Sequence, residues 1–214
     1  SGFAVSQGLT LYYPFNETGG SIVEDYSETL RHGMVIDADL NTEGKFTSGI
    51  GFDTIDPQNA KIDLDYNSPF FSQPNWTVST WFKYPIHNPV GDEYVLTWSS
   101  GSNFPAFLAG NEQFILSGVS DSDFYATSLS GTEEQPKWHH FALKSDQNSY
   151  SLFIDGEEKF RETTYNGGAL DIRTIGNVLQ GGSRFSPSLD DFRVYERTLT
   201  NQEIETIYGS GEGD

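Results

Sequence analysis

The chain has 214 residues, with 12 basic and 31 acidic side chains for a net charge of −19, 14% aromatic residues and no cysteine. So acidic a chain repels nucleic acid and anionic lipid, and the missing thiols remove disulfides, Cys-ligated zinc, iron–sulfur clusters and thiol catalysis together. The length suits one large β-sandwich, no apolar run is long enough to insert into a membrane, and carboxylate-rich loops attract hard divalent cations.

Short runs of strand character follow one another, separated by Gly, Asn, Asp and Pro. LTLYYPF (9–15) precedes a Gly-Gly turn, and KIDLDY (61–66) alternates Ile62 and Leu64 with Lys61, Asp63 and Asp65. WTVSTWFKY (76–84) is β-branched and aromatic. EYVLTWSS (93–100), AFLAG (106–110), QFILSGV (113–119) and FYATSLS (124–130) come next. WHHFALKS (138–145) leads to YSLFIDG (150–156) and EEKFRET (157–163), where the Asp155-Gly156 pair predicts a hairpin turn. LDDFRVYER (189–197) is the last strand. Trp76, Phe82, Phe141, Phe153 and Phe192 sit at apolar parity and are expected in the core. Some ten short strands at this spacing predict an all-β sandwich or barrel.

One short C-terminal helix follows. Thr200 and Glu203 form a capping box, Leu199 and Ile204 a hydrophobic staple, and Ile204, Ile207 and Tyr208 share one face. Gly209 is expected to end the helix at C′. The reading is a single domain over 1–214, with its core at about 9–208 and a linker-like tail at 209–214. The opening Ser1-Gly2 carries neither Met nor a basic leader, so the chain is read as a piece of something longer.

Five segments in order resemble the laminin-G-like jelly-roll family of the concanavalin A-like lectin/glucanase superfamily. They are LYYPFNETGGSIVEDYSETLRHG, GKFTSGIGFD (44–53), WTVSTWFK (76–83), WHHFALKSDQNSYSLFIDGEEK (138–159) and IGNVLQGGSRFSPSLDDFRVYERTLTNQEIETIY (175–208). The stretch 87–131 carries strand pattern without a family motif. The resemblance implies a two-sheet antiparallel β-sandwich (jelly roll), frequently a bound calcium, and binding of glycans or proteins rather than catalysis.

Asp25-x-Ser27 lies in a turn after the first strand, and Asp190 and Asp191 lie in the last. By strict alternation Asp190 shares the core face with Phe192 and Val194, where an ionised carboxylate needs a partner or a metal. Asp191 falls on the other face with Arg193 and Tyr195. The resemblance places Ca2+ between the Asp25 loop and Asp190, so Asp25, Ser27, Asp190 and Asp191 are the candidate metal residues, joined by backbone carbonyls near 27–33. Calcium is then expected to raise the melting temperature and EDTA to lower it. The competing reading is a hydrogen-bonded Asp that stabilises a turn.

Neighbouring strand residues point to opposite faces, so His139-His140 reads as structural, and His32 and His87 are lone loop histidines. Glycoside hydrolysis needs two placed carboxylates. The nearest candidates, Asp63 and Asp65, read as a solvated strand face, so the chain is expected not to be an enzyme. Sugar binding wants an aromatic platform beside planar polar groups on loops. That selects the rim segments with His87, Asn88, Asp92, Asn103, Phe104, Asp121, Asp123, Tyr125, Arg184 and Phe185. The competing reading is that the rim aromatics only pin their loops. Asn16-Glu17-Thr18 and Asn75-Trp76-Thr77 are N-glycosylation sequons. The expectation is a non-catalytic, calcium-stabilised glycan-binding module of a larger secreted or cell-surface protein, in a bacterial, saline setting. The alternatives are a protein-binding or spacer domain and, third, a polysaccharide hydrolase or lyase.

Overall fold

The aromatic run 76–84 lies at the centre of the molecule. A computed structural model of the chain describes residues 5–52, 59–64, 74–84, 93–97, 106–110, 113–117, 124–126, 129–131, 135–163, 172, 174–176, 184–185 and 188–210. In 93–97, 106–110, 113–117, 124–126 and 184–185 it describes the backbone alone. In chain order the strands are β1 (Leu9–Tyr13), β2 (Ile22–Val23), β3 (Gly33–Ile36), β4 (Asp39–Glu43), β5 (Ser48–Gly51) and β6 (Lys61–Asp63). They continue with β7 (Trp76–Tyr84), β8 (Glu93–Thr97), β9 (Ala106–Gly110), β10 (Gln113–Ser117), β11 (Phe124–Ala126) and β12 (Lys137–Ser145). Then come β13 (Tyr150–Ile154), β14 (Glu157–Glu162), β15 (Thr174–Gly176), β16 (Arg184–Phe185), β17 (Ser188–Tyr195) and the helix α1 (Asn201–Ser210).

One layer is an eight-stranded sheet in the order β14-β13-β12-β7-β17-β5-β4, with β1 also paired to β17. The other layer comes as two pieces, a four-stranded β15-β6-β3-β2 and a five-stranded β11-β10-β9-β8-β16, adjoining at β15 and β8. Among the described residues all pairings are antiparallel except the short β16–β8 contact. The fold is therefore an all-β jelly-roll sandwich, with one short helix among the described residues.

Alternation explains how the layers meet. Val78, Phe82, Phe141, Leu143, Leu152, Phe192 and Val194 project from the large sheet onto Val35, Ile62 and Ile175, which stand in register on the smaller one. Full burial of each such side chain contributes about 1.5–3 kcal/mol. The opposite face of the large sheet is covered by α1, through Ile204 and Ile207 on Ala142, Phe153 and Tyr195. Phe153 thus packs beneath the helix rather than in the main core, because β13 is buried on both faces.

The local signals in the C-terminal half carry over. Asp155 (φ 51°) and Gly156 (φ 78°) form the hairpin turn with two positive φ values that an Asp-Gly pair favours. The Glu203 amide donates to Thr200 Oγ1 (3.2 Å), and the Thr200 amide donates to Glu203 Oε2 (2.8 Å). Arg197 clamps the same glutamate through both terminal nitrogens and, more than the Thr200 amide and hydroxyl, holds its pKa down at about 2. Thr200→Ala is expected to cost about 1 kcal/mol in urea unfolding by removing the cap. Gly209 does not end the helix, which runs to Ser210. The sequence pattern does not display strands β2 to β5, β15 and β16, which are only two to five residues long.

Candidate functional site

The Asp25 loop is built around one buried carboxylate. Oδ1 of Asp25 accepts the amides of Tyr12 and Ser27, both at 2.8 Å. Oδ2 accepts the Arg31 amide (2.7 Å) and the Ser27 hydroxyl (2.8 Å). The Thr29 hydroxyl lies 3.0 Å from Oδ2 and also reaches the Thr10 carbonyl. The amide of Asp25 donates to His32 Nδ1 (3.1 Å), so His32 has a partner that the sequence did not show. Asp-x-Ser is read here by hydrogen bonds: the carboxylate ties 27–31 to β1, and the side chain is left 2% exposed.

Strict alternation fails in β17. Asp191 has φ 53°, and the register with β7 slips between Asp190 and Arg193. This bulge lets β17 leave β5 after Leu189 and take β1 from Phe192 onward. Leu189 therefore shares the core with Phe192 and Val194. Asp190, expected beside them, stands on the other face, opposite Trp81. There its Oδ2 accepts the Phe46 amide (3.0 Å), while Oδ1 is buried with no hydrogen-bond partner among the described residues. Burial, with Asp191 adding to it, pushes the Asp190 pKa up to about 7, against the pull of the Phe46 and Lys45 amides. Gly44 permits this approach, since a Cβ there would lie 2.8 Å from Asp190 Oδ2.

Trp81 joins Asp190 to His140 across three strands. Its ring is stacked on Tyr208 of α1 at 5.7 Å, meets Phe46 edge-on at 6.2 Å and carries Lys45 Nζ at 4.4 Å. His140 Nε2 lies 2.8 Å from Ser79 Oγ. Burial first, and Arg193 second, drive the His140 pKa down to about 3, so the imidazole is neutral. His139 points the other way, as alternation requires, with Nδ1 on Asp155 (2.7 Å) and Nε2 on the Ser130 carbonyl (2.8 Å). Burial opposes charge on His139, but these bonds outweigh it and hold its pKa above the ordinary value. Burial would raise Asp155, yet His139 and the His140 amide hold it below. The histidine's share of this stability is complete below about pH 6.5 and is lost as pH rises through the raised folded value. The His139→Leu variant is expected to lack that alkaline decline in melting temperature.

Asp191 does lie with Arg193. Oδ1 of Asp191 accepts Arg193 Nε (3.2 Å) and Nη2 (2.9 Å), and the guanidinium carbon sits 4.8 Å over the Tyr12 ring. Burial first and the Asp191 charge second push the Tyr12 pKa up to about 12, so its phenol stays protonated. Beside them opens a groove of about 200 Å³ lined by Tyr12, Pro14, Asn16, Phe46, Asp191, Arg193 and Ser210.

Calcium takes six to eight oxygens. Asp25 and Ser27 spend theirs on their own loop and on β1, Asp190 offers one oxygen beside a different loop, and Asp191 holds Arg193. No three His, Asp or Glu side chains gather in a metal-binding group among the described residues. The four residues as arranged do not make a calcium cage. Of the ligand-binding candidates, His87, Asn88, Asp92, Asn103, Phe104, Asp121 and Asp123 lie outside the described residues. Tyr125, Arg184 and Phe185 are described only in their backbones, in β11 and β16. Tyr12, Asn16 and Phe46 were not singled out from the sequence as ligand-binding residues.

A family model described as the concanavalin A-like lectin/glucanases superfamily, of laminin G type, matches residues 56–205. Human usherin (Homo sapiens) is 35% identical over 80 residues, which cover 34% of this chain and 2% of usherin. Mouse usherin (Mus musculus) is 31% identical over 86 residues, with the same coverage. Among solved structures, Trypanosoma rangeli sialidase superposes with a TM-score of 0.70 at 17% identity, over 96% of this chain and 33% of that one. The binding domain of Paraclostridial Mosquitocidal Protein 1 gives 0.68 at 16%, over 95% and 52%. The botulinum neurotoxin serotype G binding domain gives 0.67 at 14%, over 95% and 51%. At such identities the structural likeness speaks for the fold alone. The chain spans a small fraction of the usherins and a third to a half of these structures.

Proposed function

The chain belongs to the concanavalin A-like lectin/glucanases superfamily, laminin G type, and on that premise we propose that it is a non-catalytic glycan-binding module of a larger extracellular protein. The observation that carries this reading is the sandwich itself. It is shared almost end to end with regions of proteins described as binding domains and of a sialidase solved with sialic acid. The histidines support the non-catalytic side, since His139 and His140 are held by Asp155, Ser130 and Ser79 in structural roles. The binding reading does not rest on calcium. A glycan array probed with the isolated chain, with and without EDTA, tests it. Reproducible hits confirmed by calorimetry are expected; a blank array, or turnover of a bound polysaccharide, would overturn it.

A second reading, protein docking, has one observation in its favour. Ile22 (47% exposed) and Met34 (53%) are cross-strand partners on the outer face of β2 and β3. Paired exposed apolar side chains of this kind mark contact surfaces more often than scattered ones do.

A further inference from the structure

We propose that the groove between Tyr12, Phe46 and Arg193 is a sugar subsite that takes one neutral hexopyranose unit of a longer glycan. This rests on the glycan-binding reading above and gives it a place on the surface. The place is the α1-bearing face of the large sheet, at residues other than those the sequence favoured for binding.

The groove measures about 200 Å³, below the roughly 300–1,000 Å³ of pockets for drug-sized ligands and suited to one small ring. Its apolar wall is Phe46, 47% exposed. That ring is held edge-on against the buried Trp81, and its amide is tied to Asp190 Oδ2, so the platform is fixed before any ligand arrives. A fixed aromatic face costs little to order on binding and offers an apolar surface to the C–H side of a pyranose.

The polar floor is Asp191 and Arg193, each at least nine-tenths buried and held together through Asp191 Oδ1. The backbone turns sharply at this point, with Asp191 in the left-handed region at φ 53°. The bulge also serves the change of partner strand, which explains its existence; the inward carboxylate is what it delivers to the groove. Asn16 completes the rim. Its Oδ1 accepts the Thr47 hydroxyl (2.6 Å), which leaves the amide nitrogen as the end available to a ligand.

Charge selects the class of sugar. Asp191 and Arg193 cancel each other, and a chain of net charge −19 repels uronates and sialic acids. A neutral sugar meets no such field, and its hydroxyls can both donate to a carboxylate and accept from a guanidinium, bonds stronger than those between neutral groups.

The test uses oligomers of glucose, galactose and mannose on the array, with calorimetry on the best hit for the intact chain and three variants. Phe46→Ala is expected to weaken binding about tenfold, and Asn16→Ala by several-fold, with both retaining the wild-type melting temperature. Phe46→Tyr, which keeps the ring, is expected to bind within about twofold of wild type. Unchanged affinity in Phe46→Ala and Asn16→Ala would remove this subsite and leave glycan binding standing. Hits confined to sialylated or uronate glycans would overturn the neutral-sugar assignment. A blank array for the intact chain would remove the proposed function and this subsite with it.

Discussion

Asp25→Ala is expected to destabilise the protein by about 3–5 kcal/mol. Five donors point at this carboxylate: the amides of Tyr12, Ser27 and Arg31 and the hydroxyls of Ser27 and Thr29. The residue is 2% exposed, so water does not readily replace what is removed. Each stranded amide costs about 1–3 kcal/mol, and the losses do not add fully because the loop relaxes. Asp25→Asn should recover only part of this, since one of its two terminal atoms is a donor facing donors. The consequence reaches across the sandwich. The Arg31 carbonyl accepts the Tyr13 hydroxyl (2.6 Å), and Tyr13 stands in the main core near Phe192. Unfolding in urea, followed by tryptophan fluorescence, measures the loss. An Asp25→Ala variant within about 1 kcal/mol of wild type would mean that the loop is not held by this residue.

The fold and the site differ in how much of them the sequence displays. Hairpin and helix were legible because their signals are local: Asp155-Gly156 forces a turn, and Thr200 and Glu203 cap each other three residues apart. The central strand was legible because nine residues without Gly or Pro have few alternatives. The face of Asp190 was not, because alternation counts residues and a bulge inserts one. The clue present was the Asp-Asp pair itself, since Asp is among the few non-glycine types that enter the left-handed region with any ease. Partners such as Asp25 and His32, seven residues apart, depend on a loop path that periodicity does not encode. Phe46 carried the same signal as the rim aromatics, a lone ring among Gly, Lys, Thr and Ser, yet its neighbour Arg193 is distant in sequence, and it takes the pairing of β17 with both β1 and β5 to bring the groove together.

Asp190→Asn is expected to stabilise the protein most at pH 8 and by less than half as much at pH 5. The folded pKa is raised from 3.8 to about 7 by burial, so the folded state binds a proton that the unfolded chain has already released. A raised carboxyl favours folding fully below about pH 4 and loses that contribution as pH climbs through about 7. At pH 8 wild type must keep a charge in a site where Oδ1 has no partner among the described residues, or unfold to release the strain. At about 1.4 kcal/mol per unit the gain from neutral Asn has a ceiling of about 4 kcal/mol, and half of that is a reasonable expectation once the site relaxes. Asn retains an oxygen for the Phe46 amide, so the loop that carries the groove should stay in place. The same pair of proteins decides the calcium question with opposite signs. A cation on Asp190 would hold the carboxylate ionised and make Asn the weaker residue, but only in calcium; EDTA would then lower the wild-type melting temperature and leave the variant unmoved. Melting curves of both proteins at pH 5 and pH 8, each with calcium and with EDTA, therefore separate the two. Higher stability of Asp190→Asn at pH 8 in both media identifies a lone buried carboxylate, and a loss seen in calcium alone identifies a ligand.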